Sequence, residues 1–501
     1  MNEASPGPVS IAALRDAVLR GREPPPAQAV ARLRSYWWIV VATVCIGSFM
    51  GQVDSSIAQM LLPTLEHAFG ARLSTVSWVA VAYLLAMAAF LPIFGRLADM
   101  VGRKLLYTAG FLLFVLGSGL CGFAPDLPVL IAFRVLQAIG AALLSSNSVA
   151  IIVMTAGPER RGRALGIQSA AQAVGLGAGP AIGGLVMDTL GWQWVFWINV
   201  PVGLVGAILG WLLIPQTKDL PSDSRFDWQG AVLIVPVLTA VMTALNEAHA
   251  WGPTSSALLG CVLAAVILLV AFVRAERRAA IPLVDLSLFR RGAFTAGNIA
   301  GFMSYAALFG IFFLMPFVFA RVYDDSALAA GLRLSIVPVM LGVVAPAGGA
   351  LSDRLGSRIV TVTGMLVCVA ALAVLAVAMN GERGDLPPVI LALAAFGAGQ
   401  GLFISPNNSA IMASAPDSLT GEAGGLLNVT RCLGISVGIA AASALLEWRL
   451  EALTGLAGTV HAAAPALLAA SRDVILLLAA FALVAGAMSL KDAERLPPYS
   501  T

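Results

Sequence analysis

Fourteen stretches of this sequence are long and apolar enough to cross a lipid bilayer, and they constrain the fold more than any other feature of the chain. A helix needs about 20 predominantly apolar residues to span the hydrocarbon core. Runs that meet this length lie near 37–62, 75–95, 105–123, 128–153, 164–187, 194–214, 228–247, 256–273, 292–319, 328–351, 359–379, 388–413, 423–446 and 473–490. With no water in hydrocarbon to satisfy backbone N–H and C=O groups, each run is expected to be an α-helix. Composition points the same way: 59% of the 501 residues are hydrophobic and 11% charged, where a soluble domain carries about 25% charge. The expected class is an all-α membrane protein with 14 transmembrane helices.

Basic residues orient the spans, because loops on the cytoplasmic side carry an excess of Lys and Arg. If the N-terminus and every second loop share one side, that side holds the first tail's Arg15, Arg20, Arg22, Arg32 and Arg34. It also gains Arg96, Arg103 and Lys104, then Arg160, Arg161 and Arg163, then Lys218 and Arg225. Arg274, Arg277, Arg278, Arg290, Arg291, Arg354, Arg358, Lys491 and Arg495 complete a set of 22 of the 30 basic residues. The other side has 6 (Arg72, Arg321, Arg333, Arg383, Arg449 and Arg472), and Arg134 and Arg431 remain inside spans. Both termini are therefore expected in the cytoplasm. Residues 1–35 read as a soluble tail with a short helix near 11–19, since their arginines and Pro24–Pro26 leave no apolar core for a cleavable signal. The five cysteines sit singly in apolar runs and the three histidines are scattered, so neither a disulfide framework nor a metal site is expected.

The chain repeats itself. Gly349-x-Leu351-x-Asp353-x-x-Gly356 repeats Gly95-x-Leu97-x-Asp99-x-x-Gly102, and each copy follows the second span of its half. Two bundles related by pseudo-symmetry follow, with a substrate path between them. The expected organisation is a tail at 1–35, a six-helix bundle at 36–215, an inserted two-helix hairpin with its linker at 216–290, a second six-helix bundle at 291–491 and a tail at 492–501.

Four motifs carry the chemistry. In Gly95-Arg96-Leu97-Ala98-Asp99-Met100-Val101-Gly102-Arg103-Lys104 the glycines permit a tight turn, and the carboxylate can meet a helix N-terminus or a guanidinium. In Ile131-x-x-x-Arg134-x-x-Gln137-x-x-Gly140 an arginine near mid-membrane needs partners or water. Ala171, Gly175, Gly179 and Gly183 recur every four residues, a smooth stripe against which another helix can pack closely. Pro180 beside them frees the Leu176 carbonyl and can bend the span, with Gly184 following. Asp54, within Val53-Asp54-Ser55-Ser56-Ile57-Ala58-Gln59-Met60-Leu61-Leu62-Pro63, is the only acidic residue well inside a span of the first bundle.

Taken in order over about residues 37–490, these motifs resemble the major facilitator superfamily, and within it the fourteen-span drug/proton antiporter family. Trp78-x4-Tyr83, Trp192 to Gly203, Asp227-Trp228-x-Gly230, Pro282-Leu283-x-Asp285-Leu286 and Gly424 to Gly438 around Arg431 extend the likeness. Departures are Ser56, Gln59 and Leu61 for the usual threonine, asparagine and alanine, and Gln193 for a usual arginine. The resemblance implies a cytoplasmic gate formed by Gly95, Asp99, Gly102, Arg103 and Asp353, and proton coupling through Asp54 and Arg134. It also implies an antiporter signature at Gly175, Gly179, Pro180, Gly183 and Gly184. Two alternatives stay open here: a permanent Asp54 salt bridge, and an Arg134 satisfied by carbonyls and Gln137. Gln137, Tyr305, Phe309 and Arg431 are candidates for the substrate cavity, against packing for the aromatics and helix–helix hydrogen bonding for Arg431.

The function implied is a proton-coupled antiporter exporting amphipathic or lipophilic small molecules, with export of a specific metabolite, lipid or siderophore as the alternative. It would draw on the proton gradient and no cofactor. Its partners would be substrate, protons and the lipid bilayer, with room for a periplasmic adaptor and none for nucleic acid. No polar cluster suited to catalysis gathers at one depth, so an enzyme is not expected. Abundant alanine, with lysine only at Lys104, Lys218 and Lys491, suits a bacterial cytoplasmic (inner) membrane protein of GC-rich coding sequence.

Overall fold

The computed structural model describes residues 23–33, 35–217, 227–247, 251–252, 254–279, 282–416, 419–455 and 458–491. The expected short helix near 11–19 and the tail at 492–501 lie outside them, and Gly292 opens the second bundle. Among the described residues, fourteen helices have the length and hydropathy of membrane spans. The first bundle holds α1 (Tyr36–Phe69), α2 (Leu73–Val101), α3 (Arg103–Cys121), α4 (Leu127–Ala156), α5 (Arg161–Leu190) and α6 (Trp194–Leu213). The hairpin is α7 (Trp228–Asn246) and α8 (Ser256–Arg278). The second bundle holds α9 (Gly292–Arg321), α10 (Ala327–Leu355), α11 (Ser357–Ala378), α12 (Leu386–Ser414), α13 (Thr420–Thr454) and α14 (Ala464–Lys491). All fourteen expected spans are present.

Local signals set the helix ends. Asp126, Asp227, Ser255 and Ser326 each accept a backbone N–H in the first turn of the helix they cap, which satisfies an otherwise orphaned donor. Gly102 (φ 118°) and Gly356 (φ 84°) close the two repeated turns in backbone conformations that side chains rarely adopt. Three helices outrun the sequence expectation at the face opposite these turns. α1 continues through Pro63 to Phe69, α13 to Thr454, and α14 begins at Ala464. Arg449 and Arg472, expected in loops, therefore sit on helices, where polar residues at a span's end extend the helix into the interface.

The two bundles use the same packing device. Gly110, Gly117 and Gly140 bring the α3 and α4 backbones together, as Gly364 and Gly399 do for α11 and α12. Such close approach lets dispersion contacts hold helices together where lipid removes the hydrophobic drive. α9 is the most enclosed span, with 83% of its apolar window buried, and α8 is the most lipid-facing, with 11%. The hairpin is fastened to the first bundle at its far end. Asn246 bonds Ser74 and Ser77, and Trp78 Nε1 donates to Glu247. Below, the face carrying the Gly102 and Gly356 turns is the basic face and the opposite one the far face.

Candidate functional site

Asp54 on α1 meets Arg134 on α4 inside the first bundle. Asp54 Oδ2 accepts from Arg134 Nη1 at 2.8 Å, and Oδ1 accepts from Gln137 Nε2 at 2.9 Å and Asn199 Nδ2 at 3.1 Å. Arg134 also donates to the Val79 carbonyl at 3.2 Å and to Gln137 Oε1 at 2.6 Å. Its guanidinium lies over the Tyr83 ring, 4.1 Å from the centroid, an added electrostatic attraction. Ser118 accepts from Gln137 and Asn199 and donates to the Phe196 carbonyl. Side chains or carbonyls of five helices (α1, α2, α3, α4 and α6) thus converge on one ion pair. Asp54 is 4% exposed and Arg134 1%. Removing two charges from water is costly, and only such complete hydrogen bonding offsets it.

Asp54 stands about half-way along α1, while its partners lie nearer the far ends of their helices. Arg134 is seven residues into α4 from Leu127, about 10 Å from the far end at 1.5 Å per residue. Ser118, Val79 and Asn199 are likewise near the far ends of α3, α2 and α6. In the second bundle the same interhelical glycine contacts put Leu393 and Phe396 of α12 where α4 has Arg134 and Gln137, and the polar pair between α9 and α12 lies two turns deeper. There Ser304 on α9 donates to Gln400 Oε1 on α12 at 2.6 Å, a neutral pair.

α5 presents two faces of small residues. Gly175, Gly179 and Gly183 lie against α1, where an added Cβ would meet the Phe49 carbonyl, Ser56 and Ile57. Pro180 sits within an unbroken helix, and its carbonyl would meet a Cβ at Gly331 of α10 at 2.1 Å. A second face holds Gly162, Gly166, Ala173, Gly177 and Gly184, spaced by four and seven residues. A Cβ at Gly184 would strike the Ala327 carbonyl at 2.2 Å, Gly177 approaches Val339, and Ala173 approaches Gly342. At Gly166 and Gly162, on the same face, nothing lies within 4 Å. The bundles touch from the far face to mid-helix along this seam and then part.

Polar contacts lock the far face. Glu447 of α13, 1% exposed, pairs with Arg72 at 3.1 Å and accepts the Ser74 N–H at 2.9 Å. Glu66 of α1 accepts from the Thr459 N–H and hydroxyl. Asp188 of α5 accepts from Ala327 and Leu328 N–H, the first turn of α10, where helix partial charge favours an anion. Arg321 donates to the Pro63 carbonyl. At the basic face Asp99 pairs with Arg103 of its own turn rather than with the opposing bundle. The turn is clamped instead by the chain before α1. Glu23 accepts from Leu105 and Thr217 N–H, fills the space a Cβ at Gly102 would take, and Lys104 donates to the Pro24 carbonyl. Gly356 of the second turn has nothing so placed.

Residues 44–439 match the model of the Major Facilitator Superfamily. The chain belongs to that superfamily. It is 33% identical to the riboflavin transporter RibZ of Clostridioides difficile (strain 630), over 80% of this chain and 87% of that one. It is 32% identical to the drug efflux pump JefA of Mycobacterium tuberculosis (strain ATCC 25618 / H37Rv), over 80% and 79%. Among solved structures a D-xylose–proton symporter superposes with TM-score 0.65 at 14% identity, covering 92% of this chain and 98% of that one. The last likeness is one of fold. The chain is a multi-pass transporter with fourteen candidate spans among its described residues.

Within this transporter, the structure brings Asp54 and Arg134 together and separates Asp99 from Asp353, each in the turn of its own bundle. Two expected cavity residues are corrected. Gln137 is fully buried in the ion-pair network, its amide consumed by Asp54, Ser118 and Arg134, and Phe309 is 3% exposed and stacked on Phe312. Tyr305 and Arg431 are partly exposed. Ser118, Asn199, Glu66 and Glu447 were missed. Asn199 lay inside a quoted motif, Glu447 one residue past the expected end of its span, and Ser118 in a glycine-rich stretch with no distinguishing signal.

Proposed function

We propose that this transporter is a secondary active, proton-coupled antiporter that exports amphipathic or lipophilic small molecules by alternating access. In this reading it lies in the bacterial cytoplasmic membrane with its basic face in the cytoplasm. The single observation that supports it best is the Asp54–Arg134 pair, buried within one bundle where the corresponding helices of the other, α9 and α12, hold no ion pair among the described residues. Such a charge inside a membrane bundle marks an ion pathway more often than a packing device. The orientation draws on the surplus of basic residues on one face.

The contacts are consistent with the following cycle. Here Asp54 is paired, the far face is locked and the seam is open toward the basic face, a state ready to take substrate from inside. When the far face opens, a proton reaching Asp54 neutralises the carboxylate and weakens its hold on Arg134. α1 carries both Asp54 and Glu66 and lies against α5 through Ser56 and Ile57, so loosening α1 acts on the far lock and on the seam together. The proton is given up at the basic face as substrate binds.

The likeness to RibZ favours a second reading, transport of one specific flat aromatic metabolite by the same machinery, with Tyr305 and Arg431 as contacts. A growth-inhibition panel of lipophilic drugs in a pump-deficient host, run beside radiolabelled riboflavin flux, separates the two. Broad protection that disappears in Asp54→Asn supports drug export. Riboflavin flux without protection favours the metabolite, and protection undiminished in Asp54→Asn overturns the role of that residue.

A further inference from the structure

The hairpin carries a cavity that the transport cycle does not use. Near the basic face α7 and α8 part around a space of about 460 Å³. Trp228, Val232 and Leu233 wall it on α7, and Ala271, Arg274 and Arg278 on α8. Trp228 is 70% exposed and Val232 68%, and α8 is the most lipid-facing span of the chain. The cavity therefore opens toward lipid and not toward the seam between the bundles.

Its chemistry changes with depth. The apolar run of α8 ends where Arg274 begins, so both arginines stand at headgroup level, one helical turn apart on one face. Trp228 opens α7 at the same level, where amphipathic indole rings are enriched. Val232, Leu233 and Ala271 continue the walls one turn into hydrocarbon. Among the described residues neither Arg274 nor Arg278 forms an ion pair. The nearest acidic residue in sequence, Glu276, turns the other way, is 3% exposed and accepts the Val284 N–H at 3.1 Å. Two unneutralised guanidiniums above an apolar slot suit a phosphate that is itself joined to acyl chains. Guanidinium binds phosphate through paired hydrogen bonds, and basic pockets between membrane helices favour anionic headgroups. A zwitterionic lipid would bring its own ammonium against the same arginines.

We propose that this cavity binds one anionic phospholipid of the leaflet on the basic face, its phosphate between Arg274 and Arg278 and the start of an acyl chain along Val232 and Ala271. Native mass spectrometry of the full chain, delipidated and titrated with phosphatidylglycerol or phosphatidylcholine, tests it. The expected result is one retained phosphatidylglycerol, with occupancy at least fivefold lower in Arg274→Gln/Arg278→Gln. Arg290→Gln/Arg291→Gln, an equal charge change on the same face outside the cavity, should leave occupancy unchanged. Equal occupancy in the native chain and Arg274→Gln/Arg278→Gln, equal loss in both double variants, or equal binding of phosphatidylcholine would overturn the proposal. Photoactivatable phosphatidylglycerol on the native chain gives a check independent of variant folding: labelling must map to residues 228–233 or 271–278, and labelling elsewhere counts against the site.

Discussion

Arg134 makes its contribution through geometry as much as charge. Its guanidinium reaches Asp54, Gln137 and the Val79 carbonyl at once while lying on Tyr83, a set that a lysine ammonium has neither the fork nor the plane to reproduce. Arg134→Met leaves Asp54 buried without a counter-charge, which costs about 3–5 kcal/mol. Thermal unfolding of the purified protein at neutral pH should show a clear loss for Arg134→Met and a smaller one for Arg134→Lys. Equal stability of all three would mean that the pair carries little of the fold. Asp54 and Arg134 were legible in the sequence because a charge within an apolar run is expensive and stands out. Ser118 and Asn199 were not, because small neutral polar residues are common in membrane helices and only the folded bundle shows which of them face the ion pair.

At the scale of elements, α5 joins the two bundles, because one of its small-residue faces meets α1 and the other meets α10. The face toward α1 was readable from its every-four spacing. The face toward α10, at 162, 166, 173, 177 and 184, follows the helical period too, but the sequence does not say which neighbour a smooth face meets. These positions separate two defects. Gly184→Val drives a side chain into the Ala327 backbone and should keep the far face from closing. Gly166→Val meets open space here and should spare this state while blocking closure at the basic face. Distances between spin labels at the two ends of α5 and α10 should show Gly166→Val held open at the basic face and Gly184→Val spread at the far face. Identical distance distributions in both variants would contradict the assignment of the seam. Transport should fall in each.

Over the whole molecule, the repeat gives two bundles of matching architecture and unmatched chemistry. One holds an ion pair between α1 and α4 while the other joins α9 and α12 through the neutral Ser304 and Gln400 at a deeper level, and one turn is clamped by Glu23 where the other stands open. Architecture was legible because hydrocarbon thickness and backbone hydrogen bonding admit few solutions. The far-face lock was less so, because Glu66 and Glu447 lie at helix ends where an acidic residue ordinarily signals only water. The unequal turns carry a prediction at this scale. Asp99→Asn breaks the pair with Arg103, whereas Asp353 has Ser357 in the matching position, so transport should fall more in Asp99→Asn than in Asp353→Asn, and the reverse order would refute the ranking. The most direct test of the coupling itself uses proteoliposomes of native and Asp54→Asn protein loaded with an exported dye. Asp54→Asn should still exchange dye down its own gradient yet fail to accumulate it when a pH gradient is imposed. Accumulation at the native level in Asp54→Asn would contradict proton coupling through this carboxylate.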